Sequence, residues 1–137
     1  MVIGQCQNAQ VMNDIASRDD IKVFVDAFYG GMKSDDLVGH VFIEVMQVDW
    51  THHLPKMYDF WEMLLLDGSN YKGAPMRPHL EINQKVPLTM AHFDRWFELF
   101  SATLDAHFAG PKTEEAKTKA WNIAQTWAYK LQLINEQ

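Results

Sequence analysis

A single cysteine, Cys6, is all the thiol this chain of 137 residues carries. It cannot close an intramolecular disulfide, and it rules out Cys-x-x-Cys zinc ribbons and cysteine-held iron–sulfur clusters. Basic side chains are also scarce: 12 against 18 acidic ones, a formal charge of −6. A net-acidic surface is a poor match for nucleic acid or an anionic membrane, since both recruit lysine and arginine. No uninterrupted apolar run approaches the length of a membrane span, and no basic start precedes an apolar stretch of signal-peptide type. With one thiol and no such leader, the expectation is a cytoplasmic protein. Glycine-rich phosphate loops, His-Glu-x-x-His and paired Glu-x-x-His motifs are missing too, which sets aside phosphate-loop, zincin and carboxylate-bridged di-iron chemistry.

What the chain does hold is apolar and aromatic bulk. Hydrophobic residues make up 47 % of it, with five Trp and eight Phe. One globular domain, residues 1–137, is the expectation for this length, with 1–16 a loosely ordered leading segment. Ser17 followed by Asp20 marks a helix start, and Ile21, Phe24, Val25, Phe28 and Met32 then recur at helical spacing. Gly30-Gly31 and Ser34-Asp35-Asp36 weaken and end that helix. Asp49 is placed to cap a second helix reaching Leu66, with Trp50, Leu54, Met57, Phe60, Trp61 and Leu64 on its apolar face. Pro55 fits only in or near the first turn, so it marks where regular helix is expected to begin. Asp67-Gly68-Ser69-Asn70 is a stop. Pro75, Pro78 and Pro87 forbid a long helix over 71–88. A strong helix starts at Thr89 and runs through Phe93, Trp96, Phe97, Phe100 and Leu104 until Gly110-Pro111. A last one runs from about Thr113 through Ala116, Ala120, Ile123, Ala124, Trp127, Leu131 and Ile134. With no alternating strand pattern, the fold class is all-α.

His79 is the residue most suggestive of chemistry. It stands in Pro75-Met76-Arg77-Pro78-His79, between two strongly apolar helical segments. A neutral imidazole in a dry aromatic slot is what a haem iron uses as its axial ligand. Of the other histidines, His53 falls on the apolar stripe of the second helix, while His52 points about 100° away toward solvent. A histidine on an apolar face is more often a satisfied core residue than a ligand. Tyr29 and Trp96 border apolar faces and carry polar tips that need partners or a ligand. The acidic pairs Asp35-Asp36 and Glu114-Glu115 read as helix-end and surface charges.

Three stretches, in order, resemble the group III truncated haemoglobins. Trp50-Thr51-His52-His53-Leu54-Pro55-Lys56-Met57-Tyr58-Asp59-Phe60-Trp61 is similar to their distal helix. Tyr71 to Leu80 is similar to their proximal segment, and His92 to Phe100 to the helix that follows. The likeness spans roughly residues 17–133. It implies a truncated globin-like two-over-two helical sandwich around one haem b. It implies His79 as the proximal iron ligand, with Tyr29, His53 and Trp96 as ligand-stabilising groups on the distal side. Phe42, Met57, Trp61, Met76 and Phe93 would complete the haem contacts, and Lys56, Tyr71 and Arg77 are candidates for the haem carboxylates. The function implied is binding of O2, and of NO or other small ligands, for redox chemistry such as NO oxidation or a peroxidase-like reaction, with an electron-donor reductase as partner. The competing reading is a haem-free globin-like interaction or sensor module. A nonhaem metal protein is a weaker third.

Overall fold

A computed structural model describes residues 12–39, 50–68, 71, 83 and 88–135. Four long helices carry it: α1 (Arg18–Met32), α2 (Trp50–Leu66), α3 (Met90–His107) and α4 (Pro111–Asn135). Among the described residues there is no strand. The all-α expectation holds.

Helix α1 starts as its sequence dictates. The Ser17 hydroxyl accepts from the Asp20 amide at 3.4 Å, and the Asp20 carboxylate accepts from the Ala16 amide at 2.9 Å. These bonds satisfy donors that a helix start leaves orphaned. The helix passes through Gly30-Gly31 and ends at Met32, because Met32 is fully buried and holds the last turn against the core. Helix α2 begins at Trp50, so Pro55 lies in its second turn rather than its first. One intrahelical donor is lost there; apolar contacts of Trp50 and Leu54 on one side and Met57 and Phe60 on the other hold the helix across it. Past Leu66 the chain turns on Asp67, whose φ is +59°, and the Gly68 amide bonds the Glu62 carbonyl at 3.1 Å. Lys119 of α4 caps the same end, its Nζ 2.6 Å from the Leu64 carbonyl oxygen.

Helix α4 starts at Pro111, two residues before the pattern places it, and the cause is distant in sequence. Asp14 accepts from the Lys112 amide at 2.8 Å, the Thr113 amide at 2.9 Å and the Thr113 hydroxyl at 2.7 Å. Burial pushes the Asp14 carboxyl up, but these hydrogen bonds outweigh it and hold it below the usual carboxylate range. Beside it, Ile15 is buried in the core and the Asn13 carbonyl accepts from the Ala109 amide at 3.2 Å. Residues 13–15 are therefore tied down, against the expectation of a loose segment reaching residue 16. Gly110 makes the close approach possible. Its φ is +144°, and a Cβ there would stand 2.5 Å from Asp14 Cγ. Gly110→Ala is expected to cost about 1–3 kcal/mol, read as a lower urea midpoint at unchanged slope.

The helices pack as two pairs. Helix α1 lies on α2, α3 lies on α4, and the pairs meet through α1 against α3 and a narrower α2–α4 contact. This is the two-over-two layering expected. Its centre is aromatic: Phe100 stacks on Trp61 (4.9 Å, 27°) and takes Phe24 and Phe28 edge-on at 5.7 and 5.4 Å. Helix α4 presents Ala116, Ala120, Ala124 and Ala128, all buried at four-residue spacing, which lets α3 approach closely. Arg18 bridges Asp59 and Glu62 at 2.8 Å each on the outside of the α1–α2 pair. Bridges this open to solvent contribute about 0–1 kcal/mol, so the aromatic core supplies most of the cohesion.

Candidate functional site

Tyr29 sits in the last turn of α1, on the face that buries Ile21, Phe24, Val25, Phe28 and Met32. That spacing aims it at the start of α2. Its ring lies 5.2 Å from His53, edge-on at 82°, and 5.3 Å from Trp50. Trp50 and His53, three residues apart on one helix face, close the triangle at 5.6 Å. Tyr29 is 8 % exposed, and burial alone pushes its phenol well above the ordinary tyrosine value of 10.0. Its hydroxyl is therefore a neutral donor throughout the range in which proteins work. His53 is half-buried with its Nε2 fully covered. His52, its neighbour, is exposed as the helical geometry predicts.

Trp96 is one ring away. It stacks on Phe100 (5.4 Å, 15°) and meets Phe28 edge-on at 5.7 Å, and Phe28 in turn lies 5.0 Å from Tyr29. Met57, one turn along α2 from His53, is half-buried against the same core. Trp61 is a further turn along and 4 % exposed, packed on Phe24, Phe60 and Phe100. Phe93 belongs to a second buried group with Leu88, Ala124, Ala128 and Leu131, and Trp96 bridges the two groups. The structure thus gathers Tyr29 and His53, sets Trp96 beside them through Phe28, and leaves Phe93 on the α4 side. Phe42, Met76 and His79 lie outside the described residues, as does Arg77. Tyr71 is half-buried edge-on to Phe60 at 5.2 Å, and burial raises its phenol; Lys56 is exposed.

Two features escape the sequence reading. The first is Trp50, with the Lys33 ammonium 4.3 Å above its ring at the outer edge of the triangle. The three-residue step from Trp50 to His53 on one helix face is the signal that could have found it. The second is Asp35, which is not a solvated helix-end charge. Its side chain is 6 % exposed; it accepts from Arg95 Nε at 2.7 Å and from the amides of Leu37 and Val38 at 3.0 and 3.1 Å. Burial raises its carboxyl, yet the Val38 amide, Arg95 and the Leu37 amide together hold it below the usual range. Arg95 directly precedes Trp96, so this pair bolts the turn behind Tyr29 to the helix that carries Trp96. No single-helix pattern reveals a contact spanning that separation.

Among the described residues no three His, Cys, Asp or Glu side chains gather in a metal-holding group, and no helix is long and apolar enough to cross a membrane. His92 plays a local part, since its Nδ1 accepts the Thr89 amide at 3.0 Å and helps start α3.

A family model described as bacterial-like globin matches residues 10–130. The group 3 truncated haemoglobin of Campylobacter jejuni is 27 % identical over 92 residues, which cover 65 % of this chain and 70 % of that one. In fold, the crystal structure of the group III truncated haemoglobin from Campylobacter jejuni matches with a TM-score of 0.76 at 23 % identity, over 88 % of this chain and 95 % of that one.

Proposed function

We propose that this chain, which belongs to the bacterial-like globins, holds one haem b through His79 and uses the Tyr29–His53 side of the pocket to bind a diatomic ligand. The observation that carries the reading is the Tyr29–Trp50–His53 triangle. It puts a permanently protonated hydroxyl and a covered imidazole nitrogen in a dry aromatic setting. A solid core gains little from polar tips placed here, since burying a polar group costs free energy that its hydrogen bonds at best offset. A pocket for a ligand that carries partial negative charge gains directly from them. The residues present therefore fit a haem, and the neutral form of His79 would be its axial partner. Haem, when bound, supplies an iron that coordinates O2 or NO.

The remaining roles fall to side chains. Tyr29 donates its hydroxyl proton toward the ligand without losing it. His53, near the start of α2, stands at the edge of the same space, and its Nδ1 and Nε2 offer a donor or an acceptor according to tautomer. Trp96 adds an indole N–H from α3. Phe28, Phe100 and Trp61 exclude water and raise the value of each hydrogen bond. Met57 and Trp61 complete this wall, while Phe42, Met76 and Phe93 are assigned to the remaining haem contacts. Several donors on one ligand slow its release, which suits redox chemistry, such as NO oxidation or a peroxidase-like reaction, better than oxygen storage. Turnover then needs an electron-donor reductase.

Haem titrated into the purified chain is expected to bind at one equivalent, with a sharp Soret band and, after reduction, a shift on adding CO. Free-haem absorption at every ratio would instead favour a haem-free interaction or sensor module.

A further inference from the structure

Asp35 and Arg95 join the turn after α1 to α3, the helix that carries Trp96. The buried Asp35 side chain uses both oxygens: Oδ1 accepts from Arg95 Nε at 2.7 Å, and Oδ2 from the amides of Leu37 and Val38 at 3.0 and 3.1 Å. The turn around it is held at several points. The Asp35 amide donates to the Met32 carbonyl at 3.1 Å, and the Gly39 amide donates to the Asp35 carbonyl at 3.0 Å. Met32 and Val38 are buried in the core. Gly39 packs so closely that a Cβ there would stand 2.7 Å from the Lys33 carbonyl oxygen. The same turn continues α1, since the Lys33 amide donates to the Tyr29 carbonyl at 3.0 Å. Across from it, Arg95 is half-buried in the second turn of α3, with its Nη1 3.5 Å from the exposed Glu98 carboxylate.

We propose that the Asp35–Arg95 pair positions Trp96: it fixes how α3 is turned about its own axis, and so where the indole stands relative to Tyr29. The inference rests on the reading of Tyr29 and Trp96 as donors to the diatomic ligand. Consecutive helical residues point about 100° apart, so Arg95 faces Asp35 while Trp96 faces Phe28 and Phe100. The inner contact of α1 with α3 is aromatic: Phe24 and Phe28 meet Phe100, and Phe28 meets Trp96. Apolar burial is nondirectional, so these rings set the depth of α3 better than its rotation. A charge-assisted hydrogen bond has a preferred angle. Anchored one residue from Trp96, that angle becomes the direction of the indole. Hydrogen bonds weaken steeply as they bend, so a small turn of α3 is felt at the ligand. Arg95 is a positioning residue, and it acts through Trp96.

Arg95→Met removes the guanidinium and keeps the apolar stem. Asp35→Asn breaks the pair from the other side: its oxygen can still take both turn amides, while a side-chain amide nitrogen meets Arg95 Nε. In both variants the Trp96 indole N–H resonance, identified by its loss from Trp96→Phe, is expected to shift and broaden in proton–nitrogen correlation NMR of the purified chain. The resonances of Trp121 and Trp127 on α4 are expected to hold still. Arg95→Lys, which keeps a charged donor, is expected to restore part of the wild-type position. In the haem-loaded protein, Arg95→Met is expected to quicken O2 release several-fold in the wild-type background and to change it little in Trp96→Phe, because the pair acts through that indole. A wild-type Trp96 resonance in both Arg95→Met and Asp35→Asn overturns the positioning role, as does an Arg95→Met off-rate equal to wild type. An equal quickening in both backgrounds, the mark of general loosening, overturns it too. Each of these leaves the haem assignment intact. O2 release in Trp96→Phe equal to wild type overturns the donor reading of Trp96 and the proposal with it.

Discussion

Tyr29→Phe is expected to speed O2 release from the reduced haem-loaded protein by roughly ten- to a hundredfold. A hydrogen bond to a charged acceptor contributes about 1.5–3 kcal/mol, and each 1.4 kcal/mol or so is tenfold in a rate or equilibrium constant. Phenylalanine keeps the ring contacts with Phe28, Trp50 and His53 at 5.0–5.3 Å and removes only the hydroxyl. Stopped-flow displacement of O2 by CO reads the change in release. Because burial lifts the Tyr29 phenol above its ordinary value of 10.0, wild-type release should stay flat as pH rises to that value. CO, which carries little negative charge when bound, should respond far less than O2. An O2 off-rate equal to wild type would remove Tyr29 from the distal role.

His79→Ala is expected to abolish stable haem retention, a loss larger than any single distal change can produce. The histidines within the described residues have other places in the fold. His92 accepts the Thr89 amide at the start of α3, and His52 and His107 are exposed. His53 stands with Tyr29 and Trp50, on the side assigned to the diatomic ligand. His40 and His79 lie outside the described residues. In the sequence, His79 stands near Pro75, Pro78 and Pro87 and between the aromatic segments of α2 and α3. Gel filtration after haem loading should leave wild type coloured and His79→Ala colourless, at matched helical circular dichroism.

Helix periodicity and caps carried most of the architecture. Ser17-Asp20, the Thr89 start and the Asp67-Gly68 stop are local signals, and the structure uses each of them. What stayed hidden depends on partners far along the chain. Asp14 sets the start of α4 from 98 residues away, and Asp35 is buried by Arg95 from 60 residues away. The second turn of α2 tolerates Pro55 because contacts on either side of it offset one missing bond. The same division holds in the site. Tyr29 and His53 were visible as polar tips on apolar stripes. That they meet each other and Trp50 is a matter of how α1 crosses α2, which no single-helix pattern contains.

The central claim is that His79 holds the haem opposite Tyr29 and His53, and imidazole rescue tests it most directly. His79→Gly, loaded with haem in increasing imidazole, should regain the wild-type Soret band and CO response, because the free base refills the vacated position. A His79→Gly protein that binds haem with the wild-type spectrum and affinity before any imidazole is added would contradict the account.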